Sequence, residues 1–482
     1  MLPILLGVGL VLTLPPSPLG VLAPLPLLWL LFRGGFRAGF WAGLGFWALH
    51  LLWLPQSFVQ LFDTPLGALP FVPLVLLKAL SWGLLFWLTR RRPLARAGGW
   101  VVLEYLSSLG DLAFPWGFLG YALTDAPGRT LAALGGVYLL SLAVLLTAYG
   151  ANRLWGLALR REGYSWPLGA LSLLVFGWLM LWGWRLPPSP PAPLTALLVQ
   201  GSVNPLQKLQ GFSAEDRYRE LTRSGLARHP QAGLVVWPET AVRRLEGGLV
   251  PLLAGRTLLS GVSVFDGGYR NRVVLSEAGQ VRAAYDKARL VPFGEFFPWR
   301  GALGGVYDFF FRAFGFGTLL DTAAGDGQIP LSTFGAYICY ESVFPASARG
   351  LVRGGAWVLV NVSNDAWFGP SLGGLQHFQM GRLRAVENGR WLLRAGNDGI
   401  TAVIDPYGRV TARLAKGRPG FLAASYGIEM RQTAYTRWGD WAVGLALGLA
   451  LLGARGNRGT PATRPAPSAS RNAAAPTLPD RN

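Results

Sequence analysis

Two kinds of hydrophobic pattern divide this chain. Long, nearly uncharged apolar stretches run over 2–14, 20–32, 38–54, 66–88, 98–119, 130–151, 167–184 and 438–452. Several match the ~20 residues that a helix needs to cross a bilayer. The first two are shorter and interrupted by proline, so a tight re-entrant pair is an alternative for them. Between 187 and 436 the pattern changes. Charges appear, and short β-type runs alternate with turn and helix signals, which predicts an α/β domain large enough to bury its own core. Strands are expected at 195–200, 233–237, 258–265, 272–275, 336–339, 357–362, 392–395 and 401–404. Helices are expected at 214–228 and 376–390.

The domain plan is therefore a membrane bundle of about seven helices over 1–186, a catalytic domain over 187–436, a last membrane helix at 437–454, and a disordered tail over 455–482. Loop charge supplies an orientation, because Lys and Arg accumulate on the cytoplasmic side. With the amino terminus inside, the inner loops hold Arg33 and Arg37, then Arg90, Arg91, Arg92 and Arg96, then Arg153, Arg160 and Arg161, and the tail begins with Arg455 and Arg458. The outer loops hold only Arg129. This count places the 187–436 domain outside the cytoplasm.

Composition agrees with a membrane class: 51% of the 482 residues are hydrophobic and 14% charged, which is too apolar for an ordinary soluble protein. The net charge of +19 is spread over short loops and not gathered into a patch, so nucleic-acid binding is not expected. With the single cysteine Cys339, no intramolecular disulfide can form. The three histidines, His50, His229 and His377, lie far apart with no metal-ligand spacing.

Three segments of the outer domain end an apolar run with a polar group. In Val235-Val236-Trp237-Pro238-Glu239 a proline is expected to stop the ladder just before a carboxylate, which could act in catalysis or simply pair with an arginine. Lys287 stands out in a chain with only four lysines, because a site that keeps Lys where Arg is the habit favours a compact ammonium over a planar fork; an ordinary solvated loop lysine is the plain alternative. Cys339 follows Ala336-Tyr337-Ile338 and precedes an expected helix, a position where helix N–H groups favour thiolate. A buried cysteine acting as a small hydrophobe is the competing reading.

Together these three residues resemble the Glu/Lys/Cys triad of the nitrilase superfamily, in the same chain order. The flanking apolar segments, Gly294-Glu295, Ile338-Cys339-Tyr340-Glu341 and the Ser363-to-Gly369 run with Trp367 narrow the resemblance to the apolipoprotein N-acyltransferase family. So do Phe114-Pro115-Trp116, Val199-Gln200-Gly201, Gln376-His377-Phe378-Gln379-Met380 and Asn397-Asp398-Gly399. One departure is Leu209, where many members carry tryptophan.

The resemblance implies an α-β-β-α sandwich attached to a membrane α-helical bundle of about eight helices, in the bacterial cytoplasmic (inner) membrane with the catalytic domain on the periplasmic face. It implies transfer of an acyl chain from a phosphatidylethanolamine-like phospholipid donor, through a Cys339 thioester, to the α-amino group of a diacylglyceryl-apolipoprotein acceptor. Glu239 would be the general base, a role that requires burial. Lys287 would stabilise the oxyanion, Glu295, Glu341 and Tyr340 would support them, and Phe296, Trp367 and His377 would contact substrate. Neither metal nor cofactor is called for, and a monomer is expected. A membrane-tethered nitrilase-type amidase would use the same triad, and a Cys339/His377 protease would use a different pair. The aromatic stretch Phe296 to Phe316 could form a lid over the site.

Overall fold

The computed structural model describes residues 1–158 apart from 63, then 169, 170, 172–174, 176, 177, 186–203, 214–314 apart from 244 and 246–248, and 321–455. Most of the expected seventh span, Leu209, Phe316 and the 456–482 tail lie outside the described residues.

The apolar stretches of the first 158 residues do become helices: Leu2–Val11, Pro24–Leu30, Phe36–His50, Leu54–Phe62, Phe71–Leu88, Pro93–Leu106 and Ala132–Ala158, joined near the other end of the chain by Trp441–Arg455. Among the described residues, two helical runs, Pro65–Leu88 and Gly128–Gly156, are long and apolar enough to cross a membrane. The others are shorter than the sequence pattern predicts. Leu2–Val11 has 10 residues, about 15 Å at the α-helical rise. The 98–119 stretch does not continue as one helix. It ends at Leu106, and Pro115, which can neither donate an amide proton nor let its predecessor stay helical, sits in an irregular segment that leads into short 3-10 turns at Leu119–Leu123 and Pro127–Leu131.

Among the described residues, the 187–436 region contains eleven strands: β1 (Leu194–Gln200), β2 (Leu234–Val242), β3 (Thr257–Phe265), β4 (Tyr269–Glu277), β5 (Gln280–Asp286), β6 (Phe334–Ile338), β7 (Val358–Ser363), β8 (Leu392–Gly396), β9 (Thr401–Ile404), β10 (Val410–Leu414) and β11 (Gly420–Tyr426). They form a six-stranded sheet ordered β11-β1-β2-β3-β4-β5 and a five-stranded sheet ordered β10-β9-β8-β7-β6. Strands β1-β2-β3 and β6-β7-β8 run parallel. They are covered on both faces, which is why they read as unbroken apolar runs. β5, β10 and β11 escaped the sequence reading because they are edge or near-edge strands with mixed, partly exposed side chains, the composition that blunts a sheet edge.

Alternate residues of each sheet build separate layers. Leu198, Val236 and Leu259 meet Ile338, Val360 and Leu393 between the sheets. The opposite face of the first sheet, with Leu197 and Trp237, packs on Tyr218 and Leu226 of the Glu215–Arg228 helix. The opposite face of the second, with Tyr337 and Leu359, packs on Leu351 of the Pro345–Arg353 helix and on Phe378 and Ala385 of the Gly373–Asn388 helix. The result is the α-β-β-α sandwich.

The second sheet's helices turn their far side to the membrane half and share its core. Tyr340, Val343, Phe344, Phe368, Met380, Leu383 and Val386 are buried in one cluster with Trp53, Trp116, Tyr121 and Val137. Polar bonds cross the same seam: Trp116 Nε1 donates to Gln376 Oε1 at 2.8 Å, Ser57 Oγ to the Trp367 carbonyl at 2.8 Å, and Arg129 Nε to the Tyr407 carbonyl at 2.8 Å. At Gly135 and Gly136 the Ala132–Ala158 helix is kinked. Gly136 adopts φ +68°, and a Cβ there would lie 2.6 Å from the Tyr435 ring, so only glycine fits. The restarted helix offers the free Val137 N–H, which donates to Glu387 Oε1 at 3.0 Å.

Glu387 and its partner Arg384, 3.0 Å away, are both fully buried in this seam. Burial pushes the Glu387 carboxyl up to about 7 against the opposing pull of Arg384. Its folded value lies above the ordinary 4.5, so between those two pH values the folded state holds a proton that the unfolded chain has released. Stability should fall as pH rises from about 4.5 to about 7. In Glu387→Gln, whose amide oxygen can still accept from Val137, that slope should flatten; melting curves of both proteins across this range check it, and an unchanged slope would assign the pH dependence elsewhere.

Candidate active site

The three segments singled out from the sequence converge at one end of the two sheets. Glu239 lies where β2 loses register with β3, between Trp237 and Val242. The strand is not stopped at Pro238 as expected; it breaks and resumes, with Thr240 forced to φ +48°. This break turns the Glu239 side chain into the interior, where it is 5% exposed. Its Oε1 accepts from Asn271 Nδ2 at 2.6 Å and from Lys287 Nζ at 3.4 Å, and its Oε2 accepts from the Asn364 N–H at 2.7 Å.

Lys287 follows the last residue of β5 and is 1% exposed. Its ammonium lies between two carboxylates, Glu239 and Glu295, the latter at 2.6 Å. Burial alone pulls the Lys287 ammonium down, but Glu295 and Glu239 outweigh it and hold the group above the ordinary lysine range. Lys287 is therefore a fixed cation at neutral pH, and the solvated-loop alternative is excluded by its burial. The other Glu295 oxygen accepts from the Val291 N–H at 2.8 Å, so the Lys287-to-Glu295 loop closes on itself.

Cys339 sits immediately after β6 with φ +46°, a left-handed conformation that a non-glycine residue keeps only when its surroundings enforce it. Glu341 supplies much of that enforcement. Fully buried, it accepts four hydrogen bonds: from Tyr285 O–H at 2.6 Å, from the Ala288 and Arg289 N–H groups at 2.9 and 3.1 Å, and from the Ile338 N–H at 2.7 Å. Glu341 thus braces the chain beside Lys287 and the strand end before Cys339, acting on the backbone and on Tyr285 where direct support of the Lys287 ammonium was expected. Tyr340 points away from the sheets and donates to the Ala113 carbonyl of the membrane half at 2.8 Å.

The expectation of a thiolate favoured by helix N–H groups is corrected. The chain after the nucleophile first makes a short 3-10 turn, Cys339–Val343, and only then enters the Pro345–Arg353 helix. Burial pushes the Cys339 thiol up, Glu239 adds to the effect, and Lys287 opposes it only in part. These surroundings favour a neutral Cys339 thiol over a thiolate.

Of the expected substrate contacts, Phe296 lines a cavity of about 210 Å³ at the seam, together with Asp111 and Ala113 from the membrane half and Arg289, Pro292 and Phe344 from the catalytic half. Trp367 is half-buried, with its carbonyl tied to Ser57. His377 is not at an open surface: it is 1% exposed, beneath the elbow, bonded to Asp365. The aromatic stretch forms the Arg300–Phe314 helix, with Phe297, Tyr307 and Phe311 clustered inward and Trp299, Phe309 and Phe310 exposed.

Cys339, Asp365 and His377 bring potential metal-binding atoms within 4.8 Å of one another. The donor set does not suit a cation. Asp365 is already bonded by Arg394 at 2.7 Å, by Ser363 Oγ at 2.7 Å and by His377, and a buried guanidinium beside the carboxylate opposes a second positive charge.

Sequence reasoning missed Asn271, Asn364, Asp365 and Arg394. Arg394 had a signal, a charge in the middle of the apolar strand β8, which has to find a buried partner. Asn271 had none, since its alignment with Glu239 depends on how β4 lies beside β3. Asn364 is held in turn by Asn397 Nδ2 at 3.0 Å, and the Gln-Gly and Asn-Asp-Gly motifs interlock behind it, through Ser202 N–H to the Asn397 carbonyl at 2.6 Å and Thr401 Oγ1 to Gln200 Oε1 at 2.7 Å.

Replacing Glu341 by Gln puts an N–H₂ either where three donors now point, from Tyr285, Ala288 and Arg289, or where the Ile338 N–H does. The unpaired donors should cost about 2 kcal/mol or more and loosen the elbow, measured as a lower melting temperature with slower Cys339 acylation. A variant as stable as the wild type would show that this carboxylate does not brace the site.

Comparison with known proteins agrees with both halves of this architecture. Residues 6–150 match the family described as apolipoprotein N-acyltransferase N-terminal domain, and 255–434 match the carbon-nitrogen hydrolase family. The chain is 36% identical over 476 residues to the apolipoprotein N-acyltransferase of Azotobacter vinelandii, covering 89% of each, and 35% identical to that of Pseudomonas syringae pv. tomato, covering 78% of each. Among solved structures, it is similar to a nitrilase-superfamily amidase from Nesterenkonia AN1, at 20% identity and a TM-score of 0.36 over 50% of this chain and 93% of that one. With its elbow cysteine, its buried Glu-Lys pair and relatives that match almost end to end, this chain belongs to the apolipoprotein N-acyltransferase family.

Proposed function

We propose that this protein moves an acyl chain from a phosphatidylethanolamine-like phospholipid to the α-amino group of a diacylglyceryl-cysteine at the start of an apolipoprotein, by way of a thioester on Cys339. The observation that carries the reading is that Cys339, Glu239 and Lys287 lie close enough to act on one another's charge, and that Lys287 directly precedes Ala288 and Arg289 in the wall of a cavity lined by both halves. A soluble amidase would have no use for that second wall.

In the first half-reaction, Glu239 takes the thiol proton as Sγ attacks the ester carbonyl. Lys287 faces the resulting oxyanion, with a backbone N–H near Cys339 as a second donor. Collapse of the tetrahedral adduct breaks the C–O bond, and the departing lysophospholipid oxygen receives the proton from Glu239. In the second half, the incoming amine attacks the thioester, Glu239 accepts its proton and passes it to Sγ as the C–S bond breaks, which leaves an amide, a thiol and the carboxylate ready for the next cycle. The ester's energy is carried in the thioester, so the cycle closes with no other reactant.

The membrane placement belongs to the same reading: about eight spans in the bacterial inner membrane, the catalytic domain on the periplasmic face, and a single chain as the working unit. Two features support it. The loops counted as outer contain Ser57, Asp125 and Arg129, and these bond the catalytic half through Trp367, Arg382 and Tyr407. Two loops counted as inner meet each other instead, where Arg96 donates to the Leu30 and Arg33 carbonyls at 2.7 and 2.9 Å. On this reading the seam cavity opens at the level of the outer leaflet, and lipid can reach Cys339 from the side.

Intact mass after incubation with phosphatidylethanolamine tests the chemistry. The wild type should gain one fatty-acyl mass that hydroxylamine removes, and Cys339→Ala should gain none. Supplying a diacylglyceryl-cysteine peptide should then release N-acylated product with lysophospholipid; free fatty acid in its place would make the protein an amidase or lipase. Glu295→Gln, which leaves Lys287 with one carboxylate partner, should slow acylation about 10-fold or more, and near-normal acylation would reduce Glu295 to a structural ion pair.

A further inference from the structure

Two side chains of opposite charge line the seam cavity, Arg289 from the catalytic half and Asp111 from the membrane half. Both are exposed. Among the described residues neither has an ion-pair or side-chain hydrogen-bond partner, and the Arg289 guanidinium rests 5.6 Å from the centre of the Phe344 ring. An unpaired exposed charge is ordinary; what marks these two is that the backbone beneath each is fixed. The Arg289 N–H donates to Glu341 Oε1 at 3.1 Å, and the same carboxylate accepts from Ile338 just before Cys339. Asp111 follows Gly110, whose φ of +74° turns a loop that the Phe114 N–H closes on the Ser107 carbonyl at 2.8 Å. Tyr340, the residue after Cys339, donates to the Ala113 carbonyl in that loop. Both charges are therefore carried on backbone that is bonded to the residues on either side of the nucleophile.

Their placing matches the chemistry of a phospholipid headgroup. Arg289 is two residues beyond Lys287, at most about 7 Å along the chain. In a glycerophospholipid the ester carbonyl and the phosphate are joined through glycerol, a separation of the same order. With the ester carbonyl at Lys287, the phosphodiester comes within reach of Arg289, whose planar guanidinium suits phosphate oxygens. An amine two carbons beyond the phosphate then falls toward the opposite wall, where Asp111 stands. The cavity of about 210 Å³ is smaller than the roughly 300 Å³ at which pockets for whole drug-sized ligands begin. It admits a headgroup and leaves the acyl chains to the bilayer.

We propose that Arg289 and Asp111 form a headgroup clamp for the acyl donor, Arg289 taking the phosphodiester and Asp111 the primary ammonium, so that the protein selects phosphatidylethanolamine over phosphatidylglycerol. A glycerol headgroup would bring hydroxyls to Asp111 and no charge to offset it. The inference rests on the proposed acyl transfer from a phospholipid, and it gives the two residues a part in binding and none in bond making.

Single-turnover acylation of Cys339, followed by intact mass with the full-length protein in mixed micelles, isolates donor binding from the acceptor. Phosphatidylethanolamine should half-saturate the wild type at a lower concentration than phosphatidylglycerol with the same chains. Arg289→Gln should raise the half-saturating concentration of both lipids about 10-fold, with a smaller loss in maximal rate, and Arg289→Lys should recover part of it. Asp111→Asn should raise it about 3-fold for phosphatidylethanolamine and not for phosphatidylglycerol, so that the preference shrinks. Both side chains are exposed, and the variants should melt with the wild type. Unchanged half-saturation in Arg289→Gln, or an equal effect of Asp111→Asn on the two lipids, would overturn the clamp. If neither lipid acylates the wild type, the proposed reaction fails and binding decides the clamp by itself. Native mass spectra of Cys339→Ala should then show phosphatidylethanolamine retained over phosphatidylglycerol, with the preference lost on adding Asp111→Asn; equal retention of the two lipids would refute it.

Discussion

The site depends on one carboxylate that does no chemistry. Glu341 accepts from Tyr285, Ala288 and Arg289 at the end of the first sheet and from Ile338 at the end of the second. It is therefore a polar joint between two sheets whose shared layer is built of apolar side chains. Apolar packing is non-directional and fixes the spacing of layers better than their register. Four charge-assisted or backbone hydrogen bonds to one buried group supply the missing direction. Lys287 lies on one arm of that joint and Cys339 on the other, so the distance between cation and nucleophile is set by Glu341 more than by either residue.

Charge is balanced with the same few groups. Three ionisable chains, Glu239, Lys287 and Glu295, share a nearly dry space, and a lone charge there would be expelled or neutralised. Two flanking carboxylates hold the ammonium above the ordinary lysine range, while burial and Glu239 push the Cys339 thiol up more than Lys287 pulls it down.

The two halves do not behave as a catalytic domain on a separate anchor. Tyr340, Val343 and Phe344, the residues just after the nucleophile, are part of the membrane half's own core, and Gln376 and His377 pack on Trp116. A shift of the helices would be felt at the elbow within one or two side chains. That continuity gives a physical reason for family motifs as far apart as Phe114-Pro115-Trp116 and Gln376-His377: they form opposite sides of one contact.

The sequence by itself determined the class of each half, because solvent sorts residues locally: long uncharged runs need apolar surroundings, and short apolar runs between turns make buried parallel strands. It also singled out Glu239, Lys287 and Cys339, since each ends or follows such a run. Tertiary structure alone decided what those residues face. Whether the thiol is ionised depends on a carboxylate about a hundred positions away, and the partners Asn271, Asn364 and Arg394 are aligned by strand register and not by any local signal. Likewise the 98–119 stretch is apolar enough for a span, yet proline and the contacts that the catalytic half makes with Ala113 and Trp116 turn its second part into an irregular segment that is buried only from Ala113 onward. Hydrophobicity states that a segment leaves water, and only packing states what it meets there.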